Sequence, residues 1–169
     1  MTTIVRAQVA HTPRNPFVDV GALEAFPDGA GAFSGGRIVG CGPWAEVRAR
    51  FADAAVADER DALLLPGLVD CHVHFPQIRV IGAMGLELMD WLRLRSLPEE
   101  ARLADAAYGT AVAREFVRSL AANGTTTSLV CGWHFPGAQE ALFSAAFSSG
   151  LRVAGEVVWP PDSDRRAGL

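Results

Sequence analysis

Lysine is absent from this chain, and all 15 basic positions are arginine. Within these residues that excludes a Schiff-base lysine, a phosphate-loop lysine and a lysine bridging two metals. Cysteine is scarce. Cys41, Cys71 and Cys131 are odd in number and widely spaced, so free thiols in a reducing compartment are expected rather than a disulfide framework. No apolar run approaches the roughly 18 residues that span a bilayer. The opening MTTIVRAQVAHTPRNPF has no basic stretch leading into an apolar one, as a secretory signal would. A cytoplasmic protein is expected. A net charge of -4 provides no basic patch for phosphates, so neither nucleic acid nor a membrane surface is an expected partner.

What remains is an ordinary globular composition: 169 residues, 50% hydrophobic and 20% charged, enough for a sizeable core. Ile4 to Val9 alternates β-branched residues and predicts a strand, closed by the turn cluster at Pro13 to Pro16. Gly29 to Gly42 predicts two short strands joined at Gly35-Gly36, because glycine accepts the positive φ of a tight hairpin turn. Its glycines lack the rest of a phosphate-binding fingerprint and are read as turn residues. Pro43 to Phe51 predicts a short helix with Trp44, Val47 and Phe51 on one face, and Ala54 to Ala57 a further small strand. Residues 1–62 therefore read as a small β-rich segment.

The second part alternates strands and helices. Ile78 to Glu100 is too long for an ordinary strand-to-helix loop and is a candidate to line a site, while Leu86, Met89, Asp90 and Leu94 around Trp91 have helical spacing and read as core. Pro98 to Ala122 predicts one helix with Glu99 and Glu100 in its first turn and a stop at Asn123-Gly124. Thr125 to Val130 predicts a strand, Gly137 to Ser149 a helix and Leu151 to Val158 a third strand. Right-handed crossovers between parallel strands follow from this alternation.

Leu63 to Gln77, LLLPGLVDCHVHFPQ, carries the chemistry. Its apolar run predicts a buried strand bounded by Pro66-Gly67 and Pro76. Alternation puts His72 and His74 on the same side, with Asp70 one step earlier. Ligands gather at the carboxyl ends of such strands. Neutral imidazole suits Zn²⁺, and a catalytic zinc usually has three protein ligands, so two histidines are half a site. A bare HxH spacing equally describes hydrogen-bonded or surface histidines.

PGLVDCHVH resembles the first-strand signature of the metal-dependent amidohydrolase superfamily. The run HFPQ, then IGAMGLELMDWLRLRSLPEEARLAD, NGTTTSLV and EALFSAA, resembles guanine deaminases, over about Arg37 to Gly155. The resemblance implies an α/β fold: a partial (β/α)8 barrel of the TIM type, its first three or so units spanning residues 63–158. A β-sandwich segment would precede it and an irregular tail, residues 159–169, would follow. It implies one Zn²⁺ that activates water for attack on the purine carbon bearing the amine. His72 and His74 would be ligands, and His74, Phe75, Pro76 and Gln77 would line a pocket for a purine or related heterocycle. Asp70 would support the strand end. The chain departs from the family's usual His-Pro-like pair after TTTSLV, its order being Trp133, His134, Phe135, Pro136, so His134 is read as a loop histidine with a pocket role as the alternative. The catalytic acid, base and remaining ligands are expected beyond residue 169, since a full barrel takes roughly 250 residues. The chain is thus expected to be an amino-terminal fragment, inactive alone, with homodimer formation open to the complete protein. Two alternatives stand beside guanine: another aminated heterocycle or a triazine-type ring, and a non-catalytic fragment product.

Overall fold

The computed structural model describes residues 1–132 and 135–155. The chain divides into two units, one from Met1 to Pro66 and one from Gly67 onward.

The first unit is a four-stranded sheet. Strands β1 (Thr2–His11), β2 (Glu24–Ser34), β3 (Arg37–Pro43) and β4 (Ala55–Leu64) lie in the order β3-β2-β1-β4, and only β1 and β4 pair in parallel. Gly35 and Gly36, with φ of 56° and 72°, make the expected β2–β3 turn. Helix α1 (Trp44–Arg50) covers the sheet over Ile4, Ala30 and Ala32, which are fully buried. Alanine at those positions lets the helix approach, and Val47 fills the contact with Trp44 and Phe51 beside it. Arg6 braces the rim through two 2.7 Å hydrogen bonds to Asp28, and its guanidinium stacks 4.5 Å from the Trp44 ring centroid. Strand β4 is longer than the expected Ala54–Ala57. Leu63 and Leu64 therefore belong to this sheet and not to the approach to the histidines.

The second unit is a parallel sheet of three strands, β5 (Leu68–His74), β6 (Thr125–Cys131) and β7 (Arg152–Gly155), in sequence order. Helices α4 (Ala106–Ala122) and α5 (Pro136–Ser149) form the connections and pack on each other. The core lies between them and the sheet: Val112, Phe116 and Val117 of α4, Leu142 and Ala146 of α5, Val130 of β6, and Phe75. This is the strand-helix alternation the sequence predicts.

The structure corrects further expectations. The helix expected over Pro98–Ala122 is broken. Short helix α3 (Leu97–Ala101) passes through a 3₁₀ turn at Arg102–Ala104 to Asp105, whose backbone is extended and whose carboxylate accepts from the N–H groups of Ala107 and Tyr108 at 2.8 and 3.1 Å. Asp105 is an N-cap, and capping overrides continuation. Residues 78–100 are largely helical, in keeping with the helical spacing read there: a 3₁₀ turn at Phe75–Val80, α2 (Leu88–Trp91), a π-turn at Leu92–Ser96, then α3. The stripe read as core is not core, since Leu86, Met89 and Leu94 are exposed. Nor is β5 buried at its start: Leu68 and Val69 are exposed at 57% and 64%, and β5 pairs only with β6 among the described residues. His134, the 156–158 end of the expected third strand and the 159–169 tail lie outside the described residues.

Candidate metal and substrate site

The site begins with a fault in β5. Register runs from Asp70 opposite Ser128 to Val73 opposite Val130, so β5 holds one residue more than β6 across this span. Such a bulge leaves a residue out of the ladder and re-aims side chains. Here Cys71 and His72 have no register partner, and the His72 N–H donates instead to Asp70 Oδ1 at 3.0 Å. The imidazole of His72 in the bulge and that of His74 just after it meet edge to face, ring centroids 5.0 Å apart and Nε2 to Nε2 3.1 Å.

That separation suits a shared ion. Two ligands at roughly 2.05 Å from a tetrahedral zinc have nitrogens about 3.3 Å apart. With no ion, one Nε2–H would donate to the other Nε2. The donor set is therefore right for zinc but incomplete: among the described residues no group of three or more His, Cys, Asp or Glu could hold a metal. His72 is exposed and His74 half-buried. His74 Nδ1 is itself buried, without a hydrogen-bond partner among the described residues, and lies against Gly132.

Asp70, His72, His74, Gln77 and Trp91 line one cleft of about 520 Å³, floored by Phe116. The expected pocket residues separate at this point. Gln77 lines the cleft, whereas Phe75 and Pro76 are buried beneath it, Phe75 packed edge to face on Phe116 with centroids 6.0 Å apart. Phe75 thereby anchors the strand end that carries His74. Gln77 Nε2 donates to Glu100 Oε1 at 3.0 Å, and the fully buried Ser96 donates its hydroxyl to that same oxygen at 2.8 Å. Sequence reading missed Ser96, Glu100 and Gly132. The i, i+4 spacing of Ser96 and Glu100 was a usable signal, but their meeting with Gln77 and the meeting of Gly132 with His74 arise only in the fold.

Next to the cleft, Glu99 accepts from the Tyr108 hydroxyl and from Arg102 Nη1, while Arg79 and Arg102 stack on the Tyr108 ring at 4.7 and 4.0 Å. Burial, then the Glu99 carboxylate, raises the Tyr108 phenol above its ordinary value. Arg79 is raised in turn by Tyr108 and Glu115. These groups brace the helical connection. A larger groove of about 850 Å³ between α4 and α5 contains Arg114, Arg118 and Glu140 but no histidine or cysteine. All three cysteines are free, and Cys131 alone is buried. Among the described residues no helix is long and apolar enough to cross a membrane.

The amidohydrolase family model matches residues 63–163. The chain is 51% identical over 161 residues to a probable guanine deaminase of Deinococcus radiodurans, a match covering 92% of this chain and 37% of that protein. The crystal structure of guanine deaminase from Bradyrhizobium japonicum matches at a TM-score of 0.84 and 30% identity, over 92% of this chain and 34% of that one. An adenosine deaminase structure from Xanthomonas campestris with bound zinc matches at 0.64 and 28% identity, over 89% and 32%. The chain thus spans about a third of the length of these relatives. A first-strand histidine pair, parallel βα units and a family match across most of the second unit lead to one conclusion: the chain belongs to the amidohydrolase family, whose enzymes generally depend on a bound metal.

Proposed function

We propose that these residues carry two zinc ligands and part of the substrate pocket of a guanine deaminase-like aminohydrolase, which converts guanine and water into xanthine and ammonia. The observation that carries the reading is the approach of the His72 and His74 Nε2 atoms to 3.1 Å on a cleft wall that also holds the Gln77 amide. Similarity to the Deinococcus protein supports the substrate, and the zinc in the Xanthomonas structure supports the metal. A zinc ion held there would supply Lewis acidity that lowers the pKa of bound water to about 7.

The chain's own residues act by position. His72 and His74 offer Nε2 lone pairs, which requires each ring to carry its proton on Nδ1. Phe75, locked against Phe116, fixes the strand end, and Asp70 holds the bulge that brings His72 round. Gln77 faces the cleft, where a carboxamide can bond to the polar edge of a purine. Further ligands and the proton-transferring groups come from outside the described residues. A cytoplasmic setting belongs to the same proposal.

The test uses the polypeptide as its cell makes it, with bound zinc and the conversion of guanine to xanthine measured together. His72→Ala and His74→Ala should each weaken zinc binding by more than about a hundredfold, since even loss of an outer partner costs 10 to 100, and should abolish turnover. Gln77→Ala should raise KM and leave zinc content unchanged. Full zinc retention by the double histidine variant would refute the ligand assignment.

A further inference from the structure

We infer that Glu100 is a positioning residue for the pocket: held by Ser96, it fixes the Gln77 carboxamide with its nitrogen turned away from the ligand and its oxygen left for an N–H of the bound ring. The inference rests on the reading of Gln77 as a substrate contact.

An amide side chain has two nearly isosteric orientations, and in an open cleft it samples both. An ionised carboxylate only accepts, so a contact of 3.0 Å between Gln77 and Glu100 Oε1 must be made by the amide nitrogen. The orientation is therefore set by chemistry. Glu100 is itself held. It lies at 7% exposure on α3, one turn after the fully buried Ser96, whose hydroxyl donates to the same oxygen at 2.8 Å. Burying a carboxylate costs free energy that hydrogen bonds offset only in part.

The consequence concerns which rings the site accepts. With one Nε2–H given to Glu100 the amide is fixed in one orientation, and its oxygen is the acceptor that Gln77 can offer in the cleft it lines. An acceptor there favours a ring presenting N–H beside a carbonyl, as a lactam such as guanine does, over one presenting a bare ring nitrogen. Were Gln77 free to turn, that preference would fade.

The experiment is a double-variant cycle in the polypeptide as its cell makes it, reading KM for guanine, kcat and zinc content. Glu100→Met keeps length and burial but removes the acceptor, and should raise KM about tenfold, the equivalent of one oriented hydrogen bond, with zinc content unchanged. Glu100→Gln, which keeps one acceptor oxygen, should recover most of that loss. In a Gln77→Ala background, Glu100→Met should have no further effect on KM. Equal effects of Glu100→Met with and without Gln77 would overturn the inference and make Glu100 a purely structural residue. Absence of guanine turnover in the unaltered protein would instead overturn the substrate reading, and the inference with it.

Discussion

Gly132 offers the sharpest test of how the fold holds the histidine pair. Its φ is +83°, a left-handed backbone that costs an L-residue about 1–2 kcal/mol. A Cβ there would stand 2.6 Å from His74 Nδ1, whereas ordinary contact begins near 3.4 Å. Gly132→Ala must therefore push the His74 ring by about 0.8 Å or bend the end of β6, and relieving such overpacking costs typically about 1–3 kcal/mol more. Gly150, the left-handed cap of α5 at φ +78°, is the control, because a Cβ there meets nothing within 4 Å. Gly150→Ala should show the backbone cost alone. Both variants would be compared by denaturant unfolding and by competition for Zn²⁺ against a colorimetric chelator. Gly132→Ala should be the less stable by about 1–3 kcal/mol and should bind zinc about tenfold more weakly, since a ligand displaced by most of an ångström leaves productive geometry. Zinc affinity equal in the two variants would show that the close contact does not position His74.

Two further outcomes follow from the second unit. Asp105→Ala removes the cap of α4 and should cost about 1 kcal/mol, read from the urea midpoint at unchanged slope; no loss would mean that the break before α4 is held by packing and not by the cap. Tyr108 is the only tyrosine in the chain, so ultraviolet titration of tyrosinate reads it alone. Burial and Glu99 raise its folded value above 10.0. The neutral phenol therefore contributes stability that is complete below pH 10 and lost as pH rises through the folded value. The native protein should titrate above a denatured sample, and coincident curves would refute the bracing assigned to Glu99.

The parts of this molecule that follow from local pattern were legible in the sequence. Gly35-Gly36, the stop at Gly124 and the left-handed Gly150 are set within a few residues, and the turn or helix end expected at each forms there. Strand alternation likewise placed His72 and His74 together. It did so for an incomplete reason, because a bulge interrupts the alternation between Asp70 and Val73 and Asp70 repairs it. The helix through Asp105 was misread because Leu103 and Ala107 keep their helical spacing across the break, and apolar periodicity does not register a cap.

The exposed stripe is a different kind of failure. Leu86, Met89 and Leu94 have the pattern of a buried face and Leu68 and Val69 that of a buried strand, yet all are exposed, and β5 has a neighbour on one side only among the described residues. Periodicity reports that a face is to be covered, and not by what. Relatives about three times as long match 92% of this chain. An apolar β5 with two imidazoles at its carboxyl end is what the first strand of a larger closed sheet requires. The same residues that look misplaced as core thus agree with the proposed metal site, since neighbours that cover Leu68 and Val69 in such a sheet would also bring their own strand ends to the cleft.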